Sequence, residues 1–170
     1  MAERLGILWQ IEETTMSKSL RRVILALQAA GVESLPVETG DATTAQMAAN
    51  IVGCDVAQIA KSIIFRGAAS GTAILFVTSG TNRVDDERAS ALTGERLGKA
   101  DAALIRAQTG FAIGGVAPIG HLTPPRAFFD PCLLRFDKVW AAAGTPRHLF
   151  GIAPETLLRI SGATLAEFTA

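Results

Sequence analysis

Two runs and the turn between them decide the fold: Lys61-Ser62-Ile63-Ile64-Phe65-Arg66, then Gly67-Ala68-Ala69-Ser70-Gly71, then Thr72-Ala73-Ile74-Leu75-Phe76-Val77-Thr78-Ser79. Both runs have strand length and are rich in β-branched and aromatic residues, and small residues bounded by glycines join them. That is the pattern of a β-hairpin. Both are apolar enough to lie at the centre of a sheet. The chain around this hairpin should therefore supply what covers it.

Working toward the N-terminus, Asp55 caps a short turn through Ile59, and Thr43 or Thr44 caps a helix over Ala45–Val52 that ends at Gly53. Val32–Thr39, interrupted by Pro36, reads as an edge or short strand, and Gly40-Asp41 turns the chain. Leu20, Val23, Ile24, Leu27 and Ala30 recur at helical spacing with Ser17 as N-cap and Gly31 as stop. Residues 1–16 read as an N-terminal extension, and residues 17–170 as one domain.

Toward the C-terminus, Asp85–Thr93 reads as a helix ending at Gly94, and Arg96–Ala100 as an extended piece. Asp101 caps a helix that runs to Thr109, with Gly110 just past its end. Ala127–Asp130, Lys138–Ala143 and His148–Ile152 read as strands. Pro154 opens a last helix through Ile160, closed by Gly162. Helices and strands mix without regular βαβ alternation. The expected fold is a single mixed α/β domain with a largely antiparallel central sheet surrounded by helices.

Composition narrows the function classes. A chain of 170 residues that is 49% hydrophobic can bury a real core, and 16 basic residues balance 16 acidic ones. A polyanion-coating surface is thereby excluded, and any contact with nucleic acid has to be local. Cys54 and Cys132 lie far apart with no CxxC pattern, and His121 and His148 are the only histidines, so neither a zinc site nor a disulfide framework is expected. Asp85, Asp86 and Glu87 fit the start of a helix better than a cation site. No apolar run approaches about 18 residues, and the apolar Leu5–Ile11 stretch is followed by Glu12 and Glu13 without a cleavage pattern. These features describe a reduced, cytoplasmic protein with no cofactor, no metal, no DNA partner and no membrane span.

The segment Gly110-Phe111-Ala112-Ile113-Gly114-Gly115-Val116-Ala117-Pro118-Ile119-Gly120-His121 holds four glycines and a proline but few side chains capable of chemistry. Its chemistry, if any, belongs to its backbone, whose N–H groups can cradle an anion or a developing oxyanion. Neither a Walker-type phosphate loop nor a dinucleotide fingerprint is present. The alternative is a long turn between two elements.

Three parts of the chain together resemble the YbaK-type prolyl-tRNA editing family. Its members are free-standing aminoacyl-tRNA deacylases related to the insertion domain of bacterial prolyl-tRNA synthetase. The first part is Thr44-Ala45-Gln46-Met47-Ala48-Ala49 through Gln58-Ile59-Ala60-Lys61-Ser62-Ile63-Ile64-Phe65. The second is Thr109-Gly110-Phe111 with Gly114 to Gly120. The third is Phe129-Asp130, Val139 to Gly144, and His148 before the Ala153-Pro154-Glu155 helix start. The resemblance covers roughly residues 18–165 in order.

It implies an ester hydrolase that removes a small, wrongly attached amino acid (alanine, cysteine or serine) from the 3′ end of tRNA, most naturally mischarged tRNA(Pro). The tRNA acceptor end is then the partner, with prolyl-tRNA synthetase as a possible second. Carried over by position, Lys61 is the family's essential lysine and Gly114 and Gly115 supply oxyanion donors. Thr44, Ser62, Gly110, Phe111, Ile113, Pro118, Gly120 and His148 are the substrate-binding candidates. Ser62 stands where some alanine-specific members carry asparagine and cysteine-specific ones threonine, and Phe150 stands where some cysteine-specific members are acidic. A non-catalytic module of the same fold, binding an aminoacyl-tRNA end or a nucleotide, is the alternative function.

Each candidate also has a plainer reading. Lys61 can be a solvated lysine at a strand start, and His148 an exposed histidine after the Gly-Thr-Pro-Arg turn. His121 reads as a loop-end residue contacting backbone. Cys54 and Cys132 read as small buried fillers, and Trp140 and the Phe128-Phe129 pair as core.

Overall fold

The computed structural model describes residues 16–170. The expected extension lies outside the described residues except for Met16, which packs against the core. Helix α1 spans Lys18–Ala29, with the Ser17 hydroxyl accepting from the Leu20 N–H; it buries Leu20, Val23, Ile24 and Leu27, the residues that recur at helical spacing. Burial of each such side chain contributes about 1.5–3 kcal/mol. Strand β1 is only Val37–Glu38, and α2 spans Ala45–Val52 with Thr44 as its N-cap. A 3₁₀ turn over Val56–Gln58, held by a capping box from Asp55, leads into β2, Ile59–Gly67. Then follow β3 (Ala73–Ser79), α3 (Asp86–Thr93), β4 (Leu97–Lys99), α4 (Ala102–Thr109) and β5 (Arg126–Phe129). After a second 3₁₀ turn, Pro131–Arg135, come β6 (Val139–Ala142), β7 (His148–Ile152), α5 (Pro154–Ser161) and β8 (Thr164–Leu165).

The strands form one sheet in the order β1-β7-β6-β2-β3-β5-β8, with β4 also paired to β2. The hairpin β2–β3 is central, as its apolar runs predict, and every residue of β3 is buried. The sheet is not largely antiparallel, however. It is mixed: β2–β3, β2–β4, β6–β7 and β1–β7 are antiparallel, whereas β2–β6, β3–β5 and β5–β8 are parallel. The reason is connection length. Between β3 and β5 the chain makes α3, β4, α4 and the glycine segment, a crossover long enough to return the next strand in the same direction.

Helices cover both faces. Helices α1, α4 and α5 and the glycine segment pack on one, around Leu75, Val77, Phe129, Ala141 and Phe150. On the other, α3 meets Ile74, Phe76 and Phe128, and α2 meets Ile59 and Leu149. Phe168, near the C-terminus, is fully buried with its ring 4.9 Å from that of Phe76, a contact that nothing in the local pattern of residues 164–170 announces. Among the described residues no helix is long and apolar enough to cross a membrane.

Candidate active site

The sheet has a gap beside β2. Along one side β3 pairs with Ala60–Arg66, but on the other β6 reaches only Ile59 and Ala60, and β4 only Phe65–Gly67. Residues 61–64 therefore have no strand on that side, and the space is a cleft of about 280 Å³. This is near the lower end of small-molecule sites, roughly 300–1,000 Å³. Its walls are Ala42–Ala45 and Ala48 at the start of α2, Ile59–Ile63 of β2, Gly114 and Val116, Ala142 of β6 and Leu149 of β7.

Lys61 is half-buried in this cleft. It does not open its strand as the sequence suggests, because the pairing with β6 starts β2 at Ile59. Its Nζ donates to the main-chain carbonyl of Asn82 at 2.7 Å, leaving further N–H bonds for a ligand. Burial pushes the ammonium below the usual lysine range; Arg83 adds to this and Asp130 opposes it. Next to it, the Ser62 hydroxyl is buried and has no hydrogen-bond partner among the described residues. Strand alternation turns it to the face opposite the Lys61 side chain, with Ala60 and Ile64, so that Ser62 adjoins the cleft while its hydroxyl is closed off from it. The Thr44 hydroxyl accepts from Met47 N–H at 3.1 Å, which turns the positive end of α2 toward the same space. Among the described residues no carboxylate, imidazole or thiol lines the cleft.

The glycine segment divides into two sides. Gly114 lines the cleft with φ of 91°, and neither its N–H nor that of Val116 donates to another described residue. Gly115 does not play the expected donor role: its N–H is committed to the Ala112 carbonyl at 3.1 Å. A Cβ there would stand 2.7 Å from the Thr145 backbone, so its glycine serves close packing. Gly110, Phe111, Pro118 and Gly120 face away from the cleft. Phe111 is fully buried, with the Arg22 guanidinium 5.3 Å from its ring centre, and Gly120 lies against the backbone of α1. Ile113 stands exposed beside Gly114 and is not a wall of the cleft. His121 Nε2 is 2.7 Å from the Ala117 carbonyl, the backbone contact its position suggests.

His148 is not brought to Lys61. Leu149 lines the cleft, and strand alternation points its neighbour to the opposite face, where His148 joins Thr145, Arg147, Glu38 and the start of α1 around a second cavity of about 620 Å³. Its Nδ1 is 2.7 Å from the Thr145 hydroxyl. The structure thus places Lys61, Ser62, Thr44 and Gly114 on one cleft, whose lining does not include Gly110, Phe111, Ile113, Gly115, Pro118, Gly120 or His148. Two contributors have no motif of their own: the Asn82 carbonyl, which any residue type would offer, and Val116, an ordinary apolar residue in sequence.

Residues 39–160 match the family described as the aminoacyl-tRNA editing domain. An uncharacterized protein of Bacillus subtilis (strain 168), YwhH, is 33% identical over 124 residues, which span 73% of this chain and 78% of that protein. Among solved structures, one described as a candidate trans-editing enzyme for prolyl-tRNA synthetase is 45% identical, with a TM-score of 0.85 over 91% of this chain and 99% of that one. The hypothetical protein APE2540, at 24% identity and a TM-score of 0.80 over 88% of this chain and 99% of that one, shares the fold. The family match spans all four walls of the cleft, from the start of α2 to β7, and on that extent the chain belongs to the aminoacyl-tRNA editing domain family.

Proposed function

We propose that this protein is a trans-acting aminoacyl-tRNA deacylase, hydrolysing the ester between a small, wrongly attached amino acid and the 3′-terminal adenosine of tRNA. The observation that carries this reading is the meeting on one cleft of Lys61 and the open N–H of Gly114, beside the capped start of α2. Ester hydrolysis needs water to add to the carbonyl carbon, a donor for the oxygen that becomes negative, and a proton for the departing 3′-oxygen. Gly114, with Val116 behind it, is the donor in this reading, worth about 3–4 kcal/mol in the transition state. Lys61 anchors the 3′-terminal phosphate or sugar and holds the carbonyl in register. Among the described residues the walls hold no acid, histidine or cysteine, and in this reading activation of the water falls to a hydroxyl of the tRNA or to a backbone carbonyl.

The amino acid itself meets the apolar wall of Ala142 and Leu149. A cleft of this size excludes by steric closure, since one methylene is worth only about 1–3 kcal/mol. Alanine, serine and cysteine esters all fit such a space, alanine best, and mischarged tRNA(Pro) is the natural carrier. The similarity to a candidate trans-editing enzyme for prolyl-tRNA synthetase supports that carrier, with the synthetase as a possible partner in the cytoplasm. The test is deacylation by the purified full chain of tRNA(Pro) charged with alanine, serine, cysteine or proline. Release of at least one small amino acid, with prolyl-tRNA(Pro) spared, is expected. Rapid release of proline with the three small esters untouched overturns the reading, and no release at all leaves a binding module.

A further inference from the structure

The Lys61 ammonium is held by a loop carbonyl, and that loop has a fastening of its own. Asn82 lies in the turn after β3, where its N–H donates to the Ser79 carbonyl at 2.9 Å. Its side-chain Nδ2 donates to Asp130 Oδ2 at 2.9 Å, and the Ser79 N–H donates to the same oxygen at 3.0 Å. Asp130, at the end of β5, is 1% exposed; its Oδ1 accepts from Cys132 N–H at 2.9 Å and its own N–H donates to the Val77 carbonyl at 2.9 Å.

Capping the 3₁₀ turn at Pro131 requires only one carboxylate oxygen. The other is spent on the turn that carries the Asn82 carbonyl. One buried side chain therefore joins the end of β3, the Asn82 turn and the end of β5, and the open end of that chain of bonds is the Lys61 ammonium, 2.7 Å from Asn82 O. Resting on the reading of Lys61 given above, we infer that Asp130 and Asn82 are positioning residues: Asp130 clamps the Asn82 turn, and the clamped carbonyl fixes where the Lys61 ammonium stands in the cleft.

Asp130 also acts on the lysine through its charge. The charged groups bearing on Lys61 are Arg83, from the same turn, and Asp130, both outside the cleft walls; among the described residues Lys61 is the only charged side chain that lines the cleft. Burial and Arg83 favour the neutral amine, and Asp130 favours the ammonium. Asp130→Asn removes that charge and sets an NH₂ against one of the two donor sets, either Ser79 and Asn82 or Cys132 N–H. Asn82→Ala keeps the carbonyl and the carboxylate but cuts the link between them, at a partly exposed position where the fold should tolerate it.

The test uses the full chain with ¹³C-labelled lysine side chains, the Lys61 signal being assigned from Lys61→Arg. Asp130→Asn should lower the Lys61 titration midpoint relative to wild type; an unchanged midpoint overturns the inference. In single-turnover deacylation, each variant should slow the saturated rate by about tenfold or more, as for loss of a hydrogen bond to a charged group, with apparent substrate affinity nearly kept. The double variant should be no slower than the slower single one, since both cut the same link. Wild-type turnover in Asn82→Ala, or losses that multiply in the double variant, would count against it. If the wild-type protein hydrolyses no mischarged tRNA, the functional reading fails, while the titration, which needs no substrate, still tests whether Asp130 bears on Lys61.

Discussion

A half-buried ammonium bonded to a main-chain carbonyl has little structural need to be a lysine, so its removal should be felt in turnover more than in folding. Lys61→Ala is expected to lower deacylation by at least about 100-fold, in line with losing a transition-state contact. Its thermal unfolding midpoint should stay close to wild type; near-normal turnover would remove the residue from the mechanism. His121 titrates differently. Burial holds its imidazole below the ordinary value of 6.5, with Arg22 adding and the Ala117 bond opposing. Because the folded state binds the proton less readily than the unfolded one, stability falls as pH drops through 6.5 toward the lowered value. Unfolding midpoints measured across that window should show a shallower acid slope for His121→Gln than for wild type. At this scale the resemblance pointed to Lys61 and Ser62, and both line the cleft. It did not reveal that Phe111 is fully buried or that His148 faces a separate cavity, because each depends on which face of a distant element the side chain meets.

The helix ends were the most legible elements, since their chemistry is local. Ser17, Thr44, Asp85 and Asp101 each accept from an N–H in the first turn, and Gly53, Gly94, Gly110 and Gly162 close their helices in the left-handed region. The parallel pairings were not legible. Arg126–Phe129 and Val139–Ala142 are short apolar runs that would serve equally well beside a neighbour of either direction. The glycine segment was legible as a backbone element, though not which of its glycines face the cleft. Its two adjacent glycines should respond differently to substitution. Gly115→Val drives a side chain into the Thr145 backbone and should lower the unfolding midpoint together with activity. Gly114→Ala meets only Pro146 at 3.8 Å, an ordinary contact, but a left-handed backbone, at a cost of about 1–2 kcal/mol. It should therefore lose turnover through a displaced N–H while remaining folded. Equal thermal losses in the two variants, read by calorimetry, would show that the segment acts only as a turn.

For the whole molecule, the expected boundary at Ser17 becomes a prediction about a shortened chain. Helix α1 carries its own cap and its buried stripe begins at Leu20, so a protein starting at Ser17 should unfold within about 4 °C of the full chain, the equivalent of roughly 1 kcal/mol. A larger drop would assign residues 1–16 to the fold. Charge neutrality sets a second expectation: with 16 residues of each sign, binding of the acceptor end should weaken only gently between low and moderate salt, as few phosphate contacts imply. The cleft has a consequence for assembly. Its walls come from residues 42–48, 59–63, 114–116 and 142–149, and three of these segments meet only once the β2–β6 pairing and the crossover to β5 are complete. Contacts between such distant parts of a chain form late, after loop-closure entropy has been overcome. During refolding from denaturant, recovery of catalytic competence should therefore trail the return of helical signal and follow the slowest phase, which makes turnover a clock for the final closure of the sheet.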